Sequence, residues 1–155
     1  MGHTLTYLKA GPDDSSLLTQ TAVSSKEYWG YPEEWMKLWQ SELTVSKTYI
    51  LRNHVVKVYC GQTFIGFYAL ISYGEGNWEV DHLWLTAENI RKGYGKEIFR
   101  HMIEHIRNAG GTRITLTAEP NAKGFYEKMG GKVIRRLESK IVGRFLEEYE
   151  FRTAT

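Results

Sequence analysis

Cysteine is almost missing from this 155-residue chain: Cys60 is the only one. That excludes an internal disulfide and any zinc site built on several thiolates. Proline is scarce at 3 residues, and no low-complexity tract, linker or internal repeat interrupts the chain. Neither sign of charge dominates. The 20 Lys and Arg against 18 Asp and Glu leave +2 with neutral His, which gives no strong pull toward nucleic acid. No apolar run approaches the ~18 residues a membrane helix needs, and no signal-peptide pattern opens the chain. A reducing, cytoplasmic setting without membrane contact is therefore expected. Met1-Gly2 with Thr6 fits the loose acylation pattern M-G-x-x-x-[ST], but no polybasic stretch follows, and a start Met before a chance Gly explains it.

What is present is ordinary globular material. Apolar residues make up 42% and charged residues 25%, with 5 Trp, 10 Tyr and 6 Phe. Such an aromatic content excludes disorder as the main state, and the length suits one domain, residues 1–155, with one core.

The periodicities place the elements. His3–Lys9 alternates as a short strand. Pro12-Asp13-Asp14-Ser15 is a helix-start signal for a helix from Ser15 to about Trp29, which Gly30-Tyr31-Pro32 breaks. Pro32 then suits the first turn of a second helix, with Trp35, Met36, Leu38, Trp39 and Leu43 on an amphipathic face. His54–Cys60 and Thr63–Tyr73 are β-branched and aromatic and meet at Gly61-Gln62, a hairpin. A turn at Gly74–Asn77 leads to a third strand, Trp78–Leu85. Gly93 and Gly95 open a helix to about Asn108 that Gly110-Gly111 closes as a left-handed cap would. A strand at Arg113–Ala118, a helix from Pro120 through Met129, and strands at Lys132–Leu137 and Arg144–Phe151 follow. The order β-α-α-β-β-β-α-β-α-β-β predicts an α/β domain with a mixed, mostly antiparallel sheet and helices on its faces.

The stretch Trp78–Lys96, WEVDHLWLTAENIRKGYGK, carries the chemistry. A strand runs through a short loop into a Gly-x-Gly turn and a helix. Unpaired N–H groups at that turn and the helix dipole, about half a positive charge, converge there. Glycine permits close approach of a phosphate, and Arg91, Lys92 and Lys96 add full charges. A nucleotide P-loop is excluded because Glu97 follows Lys96, and a dinucleotide fingerprint because position 98 is Ile. A tight turn that binds nothing is the alternative at this point. Two carboxylates close together on a strand suit general-base work. Glu79 and Asp81 are two apart on a strand and share a face with Leu83 and Leu85. A strand N–H near Leu85 suits an oxyanion, and a phenol such as Tyr126 suits proton donation.

Three pieces occur in order: the acidic strand Glu79–Leu85, the loop Ile90-Arg91-Lys92-Gly93-Tyr94-Gly95, and Asn121-Ala122 followed by Phe125-Tyr126-Glu127-Lys128-Met129-Gly130. Together they resemble the GNAT superfamily of acyl-CoA-dependent N-acetyltransferases, the loop standing in place of its Q/R-x-x-G-x-G/A. Ser25–Tyr31 is also similar to an opening that recurs in one group of small bacterial members. Ile90 stands where the family has Gln or Arg, and Gly131 where an aromatic follows Gly130. The resemblance implies a GNAT-like domain whose sheet splays after Trp78–Leu85, with acetyl-CoA as cofactor and CoA as product. It implies that Leu83, Trp84 and Leu85 pair with the pantetheine arm, and that Arg91, Lys92, Gly93, Tyr94, Gly95 and Lys96 hold the pyrophosphate. Asn121 would contact the CoA arm, and Tyr126 would sit near the thioester sulfur. Glu79 aligns with the catalytic glutamate of the histone-acetylating branch and ranks before Asp81. The first two helices would line the acceptor side, making Trp29, Tyr31 and Trp35 candidate acceptor contacts.

Each assignment has a plainer counterpart. Glu79 and Asp81 suit a solvated edge strand, Tyr126 and the aromatic stretch suit packing, Asn121 suits a cap, and Glu33 and Glu34, which could attract a cationic amine, also suit a helix start. His101–His105 fits H-x-x-E-H, but it lies on a polar helix face without a third ligand region, so no metal is expected. His82 faces away from Glu79 and is read as a core or interface residue rather than a catalytic one. The leading expectation is an N-acetyltransferase acting on a small-molecule or peptide amine. A catalytically silent acyl-CoA-binding sensor or interaction module is the alternative. A homodimer is left open.

Overall fold

The computed structural model describes residues 4–154. The Met1-Gly2 pattern and the His3 end of the first predicted strand lie outside them. The elements are β1 (Leu5–Lys9), α1 (Ser15–Glu27), α2 (Glu33–Leu43), α3 (Lys47–Arg52), β2 (His54–Cys60), β3 (Thr63–Gly74), β4 (Asn77–Leu85), α4 (Tyr94–Asn108), β5 (Arg113–Thr117), α5 (Lys123–Lys128), β6 (Lys132–Glu138) and β7 (Phe145–Arg152). The strands form a seven-stranded mixed sheet in the order β1-β2-β3-β4-β5-β7-β6. Among the described residues, no helix is long and apolar enough to cross a membrane.

Two compact units divide the chain. One comprises residues up to Leu70 together with His82–Gly95, the other Ile71–Asp81 together with the residues from Lys96 onward.

In the first unit, β1 and β3 flank β2, both antiparallel. Val55, Val56 and Val58 of β2 are all buried. Burial of neighbouring residues on opposite faces explains why this strand reads as a β-branched run without strict alternation. Lys57 extends its ammonium to Asp14, 3.2 Å away. Burial alone would lower its pKa, but the bond to Asp14 raises it overall. The sequence showed no element between Leu43 and His54, yet α3 lies there. Its six residues are too few to display a helical period. Its start is fixed by Ser46, whose side chain accepts the Tyr49 N–H at 3.0 Å.

In the second unit, β4 and β5 run parallel, while β7 is antiparallel to both β5 and β6. Helix α4 buries Ile98, Phe99, Met102 and Ile106, a stripe spaced for one face, each side chain contributing about 1.5–3 kcal/mol. Gly110 has φ 85°, and the Gly111 N–H returns to the Ile106 carbonyl at 2.8 Å, closing the helix with a left-handed cap as the Gly-Gly pair predicts. Strand β6 stands at the end of the sheet order, and all its residues but Leu137 are exposed.

Candidate active site

The ladder between β4 and β5 covers only three pairs, Asn77–Glu79 against Arg113–Thr115. From Val80 to Leu85, β4 continues with no ladder partner on that edge among the described residues. Its backbone groups there are available to pair with an extended ligand, as the splayed strand of the expected fold requires. On its other side, β4 approaches β3 closely. A Cβ built on Gly66 would lie 2.3 Å from the Trp84 carbonyl oxygen and 3.0 Å from Leu85 Cα.

The loop after β4 holds Arg91 at φ 68° and Gly93 at φ 86°. A positive φ is unusual for arginine and marks a shaped backbone. Gly93 directly precedes α4, and space around it is open: a Cβ there meets nothing within 4 Å. Arg91, Lys92 and Lys96 are exposed. Tyr94 donates its hydroxyl toward Cys60 Sγ at 3.8 Å. His82 is 6% exposed and packs on Tyr49 and Phe67, and its Nδ1 accepts the Trp84 indole N–H at 2.9 Å. That agrees with its reading as a core residue.

The aromatic stretch folds on itself. Tyr31 stacks on Trp35 (5.9 Å between centroids) and meets Trp39 edge-on at 5.0 Å. Lys26 sets its ammonium 4.3 Å from the Trp39 centroid and 5.1 Å from that of Tyr31. The Arg91 guanidinium lies 5.6 Å from the Trp29 ring. The sequence reading named the rings; the cations that occupy them come from the chain itself.

In the second unit, Glu79 and Asp81 share a face of β4, with Val80 buried on the other. Glu79 is half-buried, and its Oε1 accepts the Tyr73 hydroxyl at 2.6 Å. Burial raises its pKa, the Tyr73 bond opposes this, and the charges of Asp81 and Glu148 add to the rise. Tyr73 is pushed up to about 12, mainly by that same bond. Glu148 is bound by Arg135, and Glu150 by Arg113, which lowers the Glu150 pKa. Tyr73 and Glu148 were not singled out from the sequence. The turn between β3 and β4 sets Tyr73 beside Glu79, and a register count across Gly74–Gly76 is the signal that would have found it.

Tyr126 is buried among Phe99, Phe125, Tyr149 and Phe151. Its hydroxyl has no hydrogen-bond partner among the described residues, yet no fully buried side-chain polar atom lacks one. The residue's 8% exposure therefore includes the hydroxyl tip. Burial holds its pKa well above that of a free phenol. Asn121 is exposed, and its side-chain amide donates to Glu119 Oε1 at 2.8 Å. The cap of this turn is Glu119, which accepts the Asn121 N–H, so Asn121 does not serve as the cap. At Gly131 a Cβ would lie 2.6 Å from the Phe151 ring and 3.0 Å from that of Tyr149. The departure from the family pattern there has a packing cause: those two rings fill the space beside it.

His101 and His105 lie on α4 with Glu104 between them, His105 edge-on to Trp78 and Glu104 paired with Arg107. Among the described residues, no group of three His, Cys, Asp or Glu is placed to hold a metal ion.

Residues 19–131 match the sequence model of the acetyltransferase (GNAT) family. The chain belongs to that family. Its fold recurs in the PaiA N-acetyltransferase from Thermoplasma acidophilum in complex with coenzyme A. There the identity is 23% and the TM-score 0.75, over 96% of this chain and 99% of that one. It recurs in yncA from Salmonella typhimurium with its cofactor acetyl-CoA (12% identity, TM-score 0.68, 98% and 95% covered). It recurs again in the spermidine/spermine N-acetyltransferase SpeG from Vibrio cholerae (18% identity, TM-score 0.70, 96% and 92% covered). At such identities the likeness is one of fold. A search of curated proteins finds no match. For this acetyltransferase-family chain, the seven-stranded mixed sheet is as the order of elements predicts, and the short β4–β5 ladder accords with the splay that the resemblance implies.

Proposed function

We propose that this chain transfers the acetyl group of acetyl-CoA to the nitrogen of a primary amine, on a small molecule or a peptide, by direct attack. The observation that carries the reading is Glu79: a half-buried carboxylate of raised pKa, held at 2.6 Å by Tyr73, in a member of the acetyltransferase family. A base is most effective when its pKa lies near the working pH.

The residues fit the cofactor. The β4 edge at Leu83, Trp84 and Leu85 lies beyond the ladder with β5, with no ladder partner on that side among the described residues, and would take the pantetheine arm. The loop from Arg91 to Lys96 offers open space at Gly93 and three cations for the pyrophosphate. Asn121 is the exposed amide for the CoA arm. When bound, acetyl-CoA supplies an activated acetyl thioester. Glu79 takes the proton from the acceptor nitrogen, with Asp81 beside it as the second carboxylate. The Tyr126 hydroxyl, kept protonated by burial, gives its proton to the departing sulfur. Trp29, Tyr31 and Trp35 form the acceptor wall. A second ammonium against Tyr31 would meet the like charge of Lys26, which favours an apolar acceptor group there.

The experiment is CoA release, read by a thiol reagent, on mixing the protein with acetyl-CoA and a panel of amines. Amine-dependent release is expected; binding without release would make the chain a silent acyl-CoA module. Gly93→Glu places a bulky anion in the cradle, and calorimetry should show acetyl-CoA affinity falling by about tenfold or more, which is ~1.4 kcal/mol. Unchanged affinity in a folded variant would remove the cradle from residues 91–96. Tyr126→Phe keeps the ring and its packing and deletes one oxygen. Turnover should drop by about a hundredfold at nearly constant melting temperature, since the hydroxyl tip has no bonded partner among the described residues. Wild-type turnover would leave Tyr126 as a packing residue.

A further inference from the structure

Tyr73 is a large aromatic residue with no packing reason to be where it is. It is 65% exposed, near the end of β3, just before the turn Gly74–Gly76 whose three residues all have positive φ. That turn reverses the chain so that Tyr73 and Glu79, six residues apart, come together. Its hydroxyl donates to Oε1 of Glu79 at 2.6 Å, a short, charge-assisted bond. Oε2 of the same carboxylate has no hydrogen-bond partner among the described residues.

We propose that Tyr73 is a positioning residue for Glu79: its hydroxyl occupies Oε1, fixes the plane of the carboxylate, and leaves Oε2 as the oxygen that receives the acceptor's proton. The catalytic part of this rests on the reading of Glu79 as the base. The proton moves from the acceptor nitrogen to Oε2, and the Tyr73 proton stays on its own oxygen throughout.

The surroundings give Tyr73 a second effect on the same carboxylate. The groups facing Glu79 are Asp81 on its own strand, Tyr73 on β3 and Glu148 on β7. Its register partner on β5 is the uncharged Thr115. Arg135 of β6 is engaged with Glu148, and Arg113 of β5 with Glu150. Burial, Asp81 and Glu148 all favour the protonated carboxyl, whereas the Tyr73 bond favours the carboxylate. Tyr73 therefore opposes the rise in pKa that burial and the neighbouring carboxylates impose on this base. Without it, Glu79 holds its proton to higher pH and its carboxyl is free to turn.

The test begins with the ligand-free protein. With glutamate labelled with carbon-13 at the side-chain carboxyl, the Glu79 resonance is assigned by its loss in Glu79→Gln and titrated by NMR in wild type and Tyr73→Phe. The midpoint should move to higher pH in Tyr73→Phe, with the melting temperature little changed because the ring is exposed. CoA release from acetyl-CoA, with the best amine of the panel, should show its acid limb moving the same way. Below that limb kcat/KM should be about tenfold lower, the effect of one charge-assisted bond, and the rate should recover at high pH. In a Glu79→Gln background, Tyr73→Phe should add nothing, as expected for two groups acting as one unit. A Glu79 midpoint that does not move overturns the proposal and leaves the base reading standing. A midpoint that moves while Glu79→Gln and Tyr73→Phe both keep the wild-type pH–rate profile overturns the base reading, and the catalytic role of Tyr73 with it. A loss equal at every pH, together with a lower melting temperature, makes Tyr73 a structural residue and also overturns the proposal.

Discussion

Glu79→Gln is expected to lower turnover by about a hundredfold to ten-thousandfold at neutral pH, the range for removal of a general base, with acetyl-CoA affinity unchanged. The amide has nearly the shape of the carboxyl and still presents an oxygen to the Tyr73 hydroxyl, so the hairpin bond of 2.6 Å has a successor. What the amide cannot do is accept a proton. An alkylammonium acceptor has a pKa of about 10.4, so at neutral pH little of it is free amine. The deficit should shrink as the pH rises and the acceptor deprotonates unaided.

Stability should move the other way. The Glu79 pKa is raised in the folded protein, chiefly by burial. Its charge therefore opposes folding once the pH exceeds the carboxyl's ordinary range, and that penalty is absent at low pH, where both states are protonated. Glu79→Gln should melt at or slightly above the wild-type temperature at neutral pH, the difference vanishing in acid. Steady-state rates and thermal melts across pH measure both. If Asp81→Asn shows this pattern and Glu79→Gln does not, the two carboxylates exchange roles.

Gly66→Ala should damage the fold itself. The added carbon would stand 2.3 Å from the Trp84 carbonyl oxygen, 3.0 Å from Leu85 Cα and 3.2 Å from Leu85 Cδ2. Two of these are backbone atoms and cannot swing aside as the tip of a side chain can. Next to the clash, the Thr86 N–H bonds the Ile65 carbonyl at 2.9 Å, so opening a gap also strains a strand-end hydrogen bond. Overpacking of this severity costs about 3 kcal/mol, or about 10 °C in melting temperature for a chain of this size. The molecules that remain folded would have β4 displaced at Trp84 and Leu85, where the pantetheine arm is assigned, and their acetyl-CoA affinity should fall as well. A melt and a binding isotherm on one sample test both, and wild-type values in both would mean that β3 and β4 tolerate wider spacing at this point.

The two variants also mark what the sequence could disclose. Local chemistry was readable: the β-branched runs of β2 and β3, the Gly-Gly stop after α4, and the acidic face of β4 all follow from residues close in the chain. The six-residue α3 was not, because less than two turns leaves no period to count, and its signal is one serine. Partnerships between distant residues were also hidden. Glu79 could be picked out, but Tyr73 as its donor depends on the number of residues in a turn, and Glu148 on the register of β7. Gly131 looked like a departure until Phe151 and Tyr149, some twenty residues later in the chain, were seen filling the space. The aromatic stretch was legible as a cluster, but Lys26 as its occupant was not.

Strand β6 bears on how the protein behaves at high concentration. It ends the sheet order with Val133 and Ile134 exposed at 45% and 40%. An outermost strand with bare aliphatic side chains is a template on which another polypeptide can extend the sheet, the first step toward fibres. Lys132, Arg135 and Arg136 outnumber Glu138 in the same seven residues, so an incoming copy of the strand meets net like charge. Arg135 gives part of its charge to Glu148, which leaves Lys132 and Arg136 as the main guards. Their repulsion reaches about 10 Å at 0.1 M salt and about 3 Å at 1 M. Concentrated salt, which many purification steps use, removes that protection while strengthening the attraction between the aliphatic side chains.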